Sequence, residues 1–161
     1  MNKLIVILGP TASSKTKLAV DLAYQFNGEI ISADSRQVYK GMDIGTGKDL
    51  HEYTQNGQKI PYYLIDILNP DVDYSVFQFK NDFFKSYNII IKKNKIPIVC
   101  GGTGLYMESI LLNYDMPTIG PNQKLRDTLE NFSIEHLISL LKKLNKNTYD
   151  KNFHITKRRL I

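Results

Sequence analysis

Short apolar runs alternate with amphipathic segments from the N-terminus to about residue 112. Residues 3–8 and 96–100 are continuous runs rich in β-branched side chains, which is typical of strands covered on both faces. Residues 29–33 and 62–67 are two further predicted strands. Residues 39–59 carry four glycines and many polar side chains, so we predict that this region is largely loop.

Between the predicted strands, apolar residues recur at the helical spacing of three and four. Residues 15–26 show this pattern, and the predicted apolar face consists of Leu18, Ala19, Leu22, Ala23 and Phe26. A longer helix is predicted for residues 75–93, where the first residues have the form of a capping box, and a third for residues 103–112. Because strands alternate with helices, the sequence predicts an α/β fold in which helices flank a parallel sheet.

The last part of the chain differs from the rest in charge. Residues 1–116 contain 12 lysines and arginines against 12 aspartates and glutamates, whereas residues 117–161 contain nine against four, so the net charge of +5 lies there. We predict two domains with this boundary: an α/β core, and a basic segment with a linker at 117–121 and helices at 123–131 and 133–144. A basic segment beside a neutral body attracts RNA, or it is simply a solvated helical surface.

Composition excludes some classes of protein. An apolar fraction of 42%, with ten tyrosines and seven phenylalanines, is enough for a buried core. The longest apolar run, residues 4–8, is far too short to cross a membrane, and the first residues do not resemble a signal peptide. The single cysteine, Cys100, forms no internal disulfide. We therefore expect a cytoplasmic protein without a membrane segment.

The segment after the first predicted strand has the pattern of a phosphate-binding loop. It matches G-x-x-x-x-G-K-[ST] at every fixed position but one, and its residues are Gly9, Pro10, Thr11, Ala12, Ser13, Ser14, Lys15 and Thr16. In this pattern backbone N–H groups and a helix N-terminus face an anion, a lysine adds charge and a hydroxyl ligates Mg²⁺. We expect a P-loop NTPase-like sheet that binds a diphosphate or a nucleotide, with Mg²⁺ on Thr16. An ordinary strand–turn–helix connection is the alternative.

Ser14 stands where the pattern has its second glycine. Glycine lets the backbone approach a phosphate closely and adopt torsions that other residues resist. A serine forced into such a conformation costs roughly 1–3 kcal/mol, which its hydroxyl offsets in part by donating to a phosphate oxygen. We therefore predict weakened, not abolished, diphosphate binding.

Further motifs follow the later strands in order. They are ISADSRQVY at residues 31–39, MDIGTGK at 42–48, YLID at 63–66 and GGTGLY at 101–106. Together with the phosphate loop, they closely resemble those of the tRNA dimethylallyltransferases, the isopentenyltransferases of tRNA modification. The resemblance runs from Leu4 to about Leu112, weakens in the basic segment and returns at residues 157–161.

The resemblance implies a reaction in which the exocyclic amine of the adenine next to the anticodon attacks dimethylallyl diphosphate, and pyrophosphate leaves. It implies that the loop amides, Lys15 and Mg²⁺ on Thr16 neutralise the leaving group, and that Asp34 is the general base. Thr103 completes the expected catalytic set. The flipped adenine is expected to be held by Asp34, Ser35, Arg36, Gln37 and Thr103.

The resemblance also implies tRNA contacts in the basic segment, from Arg126, Arg158 and Arg159 to the anticodon stem-loop. Members of the family continue past the position of Ile161 into further strands, helices and an arginine that contacts the diphosphate. We therefore expect this chain to be a front half with impaired activity, either a monomer or completed by a partner that supplies the rest.

The sequence leaves other interpretations open. Asp34 and Thr103 each follow a strand, where such residues often cap a turn or a helix. Asp66 either reaches a metal through water or only ends its strand, and Cys100 is expected to be a core thiol. An inactive remnant that binds diphosphate or RNA weakly would keep the same motifs. A small nucleotide kinase shares the phosphate loop, although the later motifs and the lack of an evident lid favour the transferase.

Overall fold

The computed structural model describes residues 3–114, 122–144 and 156–161. The chain divides into two compact units, Met1–Met116 and Pro117–Ile161, and the division falls where the sequence changes from neutral to basic. The predicted linker at residues 117–121 lies outside the described residues.

A four-stranded sheet forms the centre of the first unit, and all its neighbouring strands are parallel. Among the described residues the strands are β1 (Ile5–Leu8), β2 (Gly28–Ser32), β3 (Thr54–Gln55), β4 (Gln58–Lys59), β5 (Tyr62–Tyr63) and β6 (Ile96–Gly101). The main sheet has the order β1-β6-β2-β5, and Ile30 of β2 lies opposite Ile98 of β6. The two central strands are buried almost throughout, because helices cover both faces. The predicted parallel α/β sheet is confirmed.

Three helices of this unit enclose the sheet from its two faces. They are α1 (Lys15–Gln25), α2 (Val76–Lys92) and α3 (Gly104–Leu111). α1 packs against one face together with Ile30, whereas α2 and α3 pack against the other face together with Ile31. Ile30 and Ile31 belong to different core clusters because successive residues of a strand point to opposite faces of the sheet.

The apolar face predicted for α1 is wrong in part. Leu18 and Phe26 are about half exposed, at 50% and 51%, whereas Ala19, Val20 and Ala23 are buried. The small side chains form the contact stripe because they let the helix backbone approach the sheet closely. The predicted capping box at the start of α2 is confirmed: Ser75 and Gln78 bond each other's backbone N–H groups.

The strand predicted at residues 62–67 is shorter than expected, and β5 ends at Tyr63. Leu64 and Asp66 have φ angles of 62° and 55°, in the left-handed region, so the backbone leaves the extended conformation. Asp66 nevertheless lies beside the segment after β2: its N–H donates to the Gln37 carbonyl at 3.1 Å, and the N–H of Ile67 donates to the Val38 carbonyl at 2.8 Å. The chain beyond β5 therefore stays close to the segment that follows β2.

Residues 39–59 are more ordered than a simple loop. A 3₁₀ turn spans Leu50–Tyr53, and β3 and β4 form a small antiparallel hairpin. All four glycines of this region have positive φ angles, between 66° and 77°. The turns that shape the region therefore use the conformational freedom of glycine.

A buried carboxylate joins the amino ends of the strands. Glu29, at the start of β2, is 1% exposed and accepts hydrogen bonds from Tyr63 at 2.6 Å and from Lys93 and Lys95 at 3.0 and 2.8 Å. Burial by itself raises the pKa of Glu29, but the hydrogen bonds from Lys95, Tyr63 and Lys93 outweigh it and hold the pKa below its ordinary value. The cluster ties β2 and β5 to the connection between α2 and β6.

In the second unit the structure describes three helices, α4 (Gln123–Glu130), α5 (Ile134–Leu144) and α6 (Lys157–Leu160). The helices predicted at 123–131 and 133–144 are thus confirmed. Among the residues described in this unit, only Leu137 is buried. Across the described parts of both units, no helix combines the length and the hydropathy that crossing a bilayer requires.

Candidate active site at the carboxyl ends of the strands

The loops that follow β1, β2 and β6 meet at one end of the sheet and enclose a cleft of about 740 Å³. Ligands of parallel α/β sheets bind at this end of the strands. The predicted phosphate loop lines one side with residues 11–16, and Asp34, Arg36 and Gln37 line another. The motif loops that follow these three strands thus converge on one edge of the sheet.

The phosphate loop turns tightly before α1 begins. Ala12 and Ser14 both have left-handed backbones, with φ angles of 61° and 55°. The Ser13 hydroxyl donates to the Pro10 carbonyl at 2.8 Å, and the Lys15 ammonium bonds the same carbonyl. The lysine side chain therefore folds back across the phosphate loop.

The left-handed backbone expected at the position of Ser14 is confirmed. The residue is the N-cap of α1, yet its side chain makes no cap hydrogen bond. Its side chain is exposed and lines the cleft. The serine thus bears the strain of a glycine position without a capping bond that offsets it.

β6 passes so close to the end of β2 that only glycine fits at its last residue. A Cβ on Gly101 would lie 2.2 Å from the carbonyl oxygen of Ala33 and 2.4 Å from its carbonyl carbon. The N–H of Ala33 donates to the Cys100 carbonyl at 2.8 Å, which extends the pairing beyond β2. This close approach brings the loop that follows β6 beside Asp34.

Asp34 is fixed at the mouth of the cleft by a local turn. Its Oδ1 accepts the Arg36 N–H at 2.9 Å, and the guanidinium Nε of Arg36 lies 3.9 Å from the same oxygen. The carboxylate therefore caps a turn and not a helix. Among the described residues, no donor bonds its Oδ2, so one oxygen stays available to accept a proton.

Thr103 ties the two motif loops together. It is the N-cap residue of α3, but its hydroxyl does not cap that helix. Instead Oγ1 accepts the Ser35 N–H at 3.0 Å and lies 3.4 Å from the Ser35 hydroxyl. Because Ser35 follows Asp34 directly, the contact helps to set the position of the carboxylate.

Gln37 is held by contacts on both sides of its amide. Its Oε1 accepts from the Ser32 hydroxyl at 3.0 Å, and its Nε2 donates to the Gly47 carbonyl at 3.1 Å. The Thr46 hydroxyl closes the same loop by donating to the Met42 carbonyl at 2.7 Å. The side chain thus links the end of β2 to the loop at residues 42–48, which forms one wall of the cleft.

Lys48, for which the sequence predicted no role, lines the cleft with a side chain that is 0% exposed. Its ammonium bonds Asp66 at 2.5 Å, Asp43 at 2.9 Å and the Tyr39 carbonyl at 2.8 Å. Burial lowers the pKa of Lys48, but the bonds to Asp66 and Asp43 outweigh it and raise the pKa above its ordinary value. The only indication of a role for Lys48 in the sequence was its position at the end of the MDIGTGK motif. Asp66 is a partner of this cation.

The expected role of Cys100 is confirmed, since it is a free, buried thiol at the floor of the cleft. Burial raises the pKa of Cys100 to about 11, so the thiol stays protonated near neutral pH. A protonated thiol behaves as a small apolar side chain.

The residues around Thr16 suit Mg²⁺ only together with a bound phosphate. Among the described residues, no three His, Cys, Asp or Glu side chains lie together as a metal site. Thr16 lines the cleft and offers a hydroxyl. Mg²⁺ commonly binds to one or two protein oxygens and takes its other ligands from substrate phosphates and water. The Thr16 hydroxyl therefore fits a Mg²⁺ ion that takes its remaining ligands from phosphate and water.

The three arginines predicted to contact tRNA belong to the second unit. Arg126 lies on α4, and Arg158 and Arg159 lie on α6. All three side chains are exposed to solvent. The other predicted site residues belong to the first unit, at the carboxyl end of its sheet.

Comparisons with known proteins place this architecture in a family. The chain matches the family described as IPP transferase over residues 37–161. It is 54% identical over 143 residues to tRNA dimethylallyltransferase 2 of Phocaeicola vulgatus, with 89% of this chain and 47% of that protein covered. It is 46% identical over 161 residues to tRNA dimethylallyltransferase 1 of Syntrophus aciditrophicus, with 100% and 53% covered. The chain spans about half the length of these curated relatives.

Solved structures agree with the sequence comparison. A eukaryotic dimethylallyltransferase, seen in crystallographic snapshots acting on tRNA, has a TM-score of 0.85 at 32% identity and covers 99% of this chain and 40% of its own. The tRNA isopentenylpyrophosphate transferase of Bacillus halodurans has a TM-score of 0.68 at 34% identity, with 99% and 53% covered. The sequence match extends over most of the chain and the fold is shared with these structures. The chain therefore belongs to the IPP transferase family.

Proposed function

We propose that this chain carries the site that transfers a dimethylallyl group from dimethylallyl diphosphate to the exocyclic amine of the adenine next to the anticodon of a tRNA. One observation carries the proposal: the phosphate loop and the Asp34 carboxylate line the same cleft. The reaction needs an anion cradle for its leaving group and a base for its amine proton, and the cleft offers both.

On the donor side, the N–H groups at the start of α1 and the Lys15 ammonium bind the diphosphate. Lys15 bonds the Pro10 carbonyl, and in this proposal the lysine exchanges that contact for a phosphate oxygen. The Thr16 hydroxyl would hold Mg²⁺, which when bound would supply further positive charge beside the leaving pyrophosphate. The cradle is aimed at the group whose negative charge grows as the bond to carbon breaks.

On the acceptor side, the adenine amine forms a bond to the first carbon of the dimethylallyl group while the carbon–oxygen bond to diphosphate breaks. The amine proton passes to Asp34, whose Oδ1 is already engaged by the Arg36 N–H at 2.9 Å. Ser35, Gln37 and Thr103 surround the base as contacts or as supports for Asp34. A flipped base is needed because the amine of a stacked adenine is out of reach.

The basic second unit is proposed to grip the anticodon stem-loop. Residues 117–161 carry nine lysines and arginines against four acidic residues, and Arg126, Arg158 and Arg159 are exposed among them. Such a surface binds RNA through its phosphates, so binding by this unit should weaken as salt rises. We place the reaction in the cytoplasm, because tRNA is the proposed substrate and Cys100 is a free thiol.

The test incubates the chain with Mg²⁺, dimethylallyl diphosphate and unmodified tRNA, and measures prenylated adenosine by mass spectrometry after digestion. Asp34→Asn should lower the rate by a factor of about 10²–10⁴, the usual contribution of a general base. Asp71→Asn is the matched control, because Asp71 is an exposed aspartate in the loop beyond β5.

Three results bear on the proposal. Product that depends on Asp34 and not on Asp71 supports transfer by this chain. Pyrophosphate or RNA binding without any product supports a binding remnant instead. Phosphate transfer from ATP to a small acceptor, with no prenylated adenosine, would replace the proposal by a kinase function.

A further inference from the structure

Lys48 is a buried cation whose hydrogen-bonding capacity is used up by the protein. Its three ammonium donors have three acceptors, on Tyr39, Asp43 and Asp66, at 2.5 to 2.9 Å. An ammonium has only three N–H groups, so none is left for a substrate. A lysine that lines a cleft and yet offers it no donor must act through the segments that it joins.

The segments that Lys48 joins contact Gln37 at its side chain and at its backbone. Lys48 adjoins Gly47, whose carbonyl accepts from the Gln37 amide at 3.1 Å. Its partner Asp66 donates its own N–H to the Gln37 carbonyl at 3.1 Å. The buried ammonium of Lys48 therefore supports two hydrogen bonds of Gln37: the one from its side-chain amide to the Gly47 carbonyl, and the one that its own carbonyl accepts from the Asp66 N–H.

The loop at residues 42–48 has few other supports. The side chain of Ile44 is 99% exposed, and Gly45 and Gly47 have positive φ angles with no atom within 4 Å of an added Cβ. Apolar packing therefore does little to hold this wall of the cleft. Polar contacts fix it instead: the ion pairs of Lys48, the amide contacts of Gln37 and, within the loop, the bond from the Thr46 hydroxyl to the Met42 carbonyl.

We propose that Lys48 is a positioning residue that holds the loop at residues 42–48 in place and so orients the Gln37 amide in the cleft. The positioning role of Lys48 does not depend on the proposed function. Only the identity of the ligand that the Gln37 amide contacts, an adenine, rests on the proposed function. A glutamine amide presents a donor and an acceptor side by side, which suits the edge of an adenine. Fixing that amide in advance lowers the entropy lost when the base enters.

The test compares Lys48→Met with Lys40→Met in the full chain. Methionine keeps much of the length of lysine and removes its charge, and Lys40 is an exposed lysine next to Tyr39. Two signals are followed well below the unfolding temperature: the side-chain amide resonances of Gln37, assigned through Gln37→Glu, and hydrogen exchange in the peptide that covers residues 42–48. Calorimetric titration with pyrophosphate reports on the phosphate loop.

In Lys48→Met, the Gln37 amide resonances should move to the positions of a free glutamine, and exchange at residues 42–48 should become at least about tenfold faster. Pyrophosphate affinity should stay within about twofold, because the phosphate loop does not contact Lys48. Lys40→Met should change none of these. Unmoved Gln37 resonances with unchanged exchange would overturn the proposal, and so would faster exchange spread equally over the whole chain.

Asp43→Asn serves as the second variant if Lys48→Met does not fold. The Asp43 side chain is 66% exposed, so its amide isostere should be tolerated, and the same changes should appear with smaller size. Unchanged Gln37 signals in Asp43→Asn then count against the proposal. A failure of prenyl transfer by the wild-type chain bears on the proposed function alone, since none of these signals needs turnover.

Discussion

Replacing Ser14 by glycine is expected to stabilise the chain and to tighten its binding of pyrophosphate. Ser14 has φ 55° and ψ 28°, at a position where its hydroxyl makes no cap bond. The left-handed conformation costs a non-glycine residue about 1–2 kcal/mol. Glycine removes this cost but adds roughly 0.5–1 kcal/mol of conformational entropy to the unfolded chain. The difference between these two ranges is about 0–1.5 kcal/mol, so a net gain of about 0.7 kcal/mol in the free energy of unfolding is expected.

The effect on binding has a different origin. The left-handed backbone at Ser14 is part of the folded phosphate loop, so we assign its strain to folding and not to binding. What glycine changes for the ligand is the side chain that lines the cleft. Removing it lets a phosphate approach the N–H groups of α1 more closely, and we expect affinity to rise by about two- to tenfold, or about 0.4–1.4 kcal/mol.

Urea unfolding and calorimetric titration with pyrophosphate measure the two effects separately. Ser14→Ala is the matched control, because it keeps the Cβ and the strain but loses the hydroxyl. Its unfolding free energy should stay close to that of the wild type, and any loss of affinity measures the contact of the hydroxyl with phosphate. The reasoning is refuted if Ser14→Gly shows neither a gain in stability nor tighter pyrophosphate binding.

Three further predictions follow from the geometry. Lys15→Met should weaken pyrophosphate binding at least about tenfold in calorimetry, whereas the exposed Lys17→Met should not; equal affinities would remove Lys15 from the cradle. Glu29→Gln should be less stable than the wild type at neutral pH but equally stable at low pH. The difference in the free energy of unfolding is complete above 4.5, the ordinary pKa of a glutamate, and disappears as pH falls through the lower pKa of Glu29 in the folded state. Urea unfolding between pH 3 and about 7 measures this difference. Gly101→Ala should lower the melting temperature strongly or prevent folding, whereas Gly102→Ala, whose Cβ would meet only the Gly9 carbonyl oxygen at 3.5 Å, should be tolerated; similar melting temperatures would contradict the close approach at β6.

The sequence predicted the main elements because local patterns decide them. The continuous apolar run at residues 96–100 predicted the central strand β6, since a strand buried on both faces needs no polar positions. The capping residues Ser75 and Gln78 gave the start of α2. The spacing of the phosphate-loop motif predicted the order strand–loop–helix and the strained backbone of Ser14. Both could be predicted because the geometry of this loop depends on a few consecutive residues.

Where prediction failed, contacts distant in sequence were responsible. β5 stops at Tyr63 although the apolar run continues, because the chain there turns to bond the segment after β2. Leu18 is half exposed although its spacing fits the helical stripe, because the smaller Ala19 and Ala23 set the distance between α1 and the sheet. Neither outcome is visible in the local pattern.

The sequence alone therefore determined the fold class, the phosphate loop and the identity of the motif residues, including Asp34 and Thr103. Only the tertiary structure decided what those residues contact: Thr103 holds the Ser35 N–H across 68 positions of sequence, and Lys48 meets Asp66 across 18. The physical reason is that hydrogen bonds and ion pairs depend on distances of a few ångströms between side chains. A linear pattern fixes which side chains are present at a sheet edge, whereas the packing of strands and loops fixes which of them come within reach.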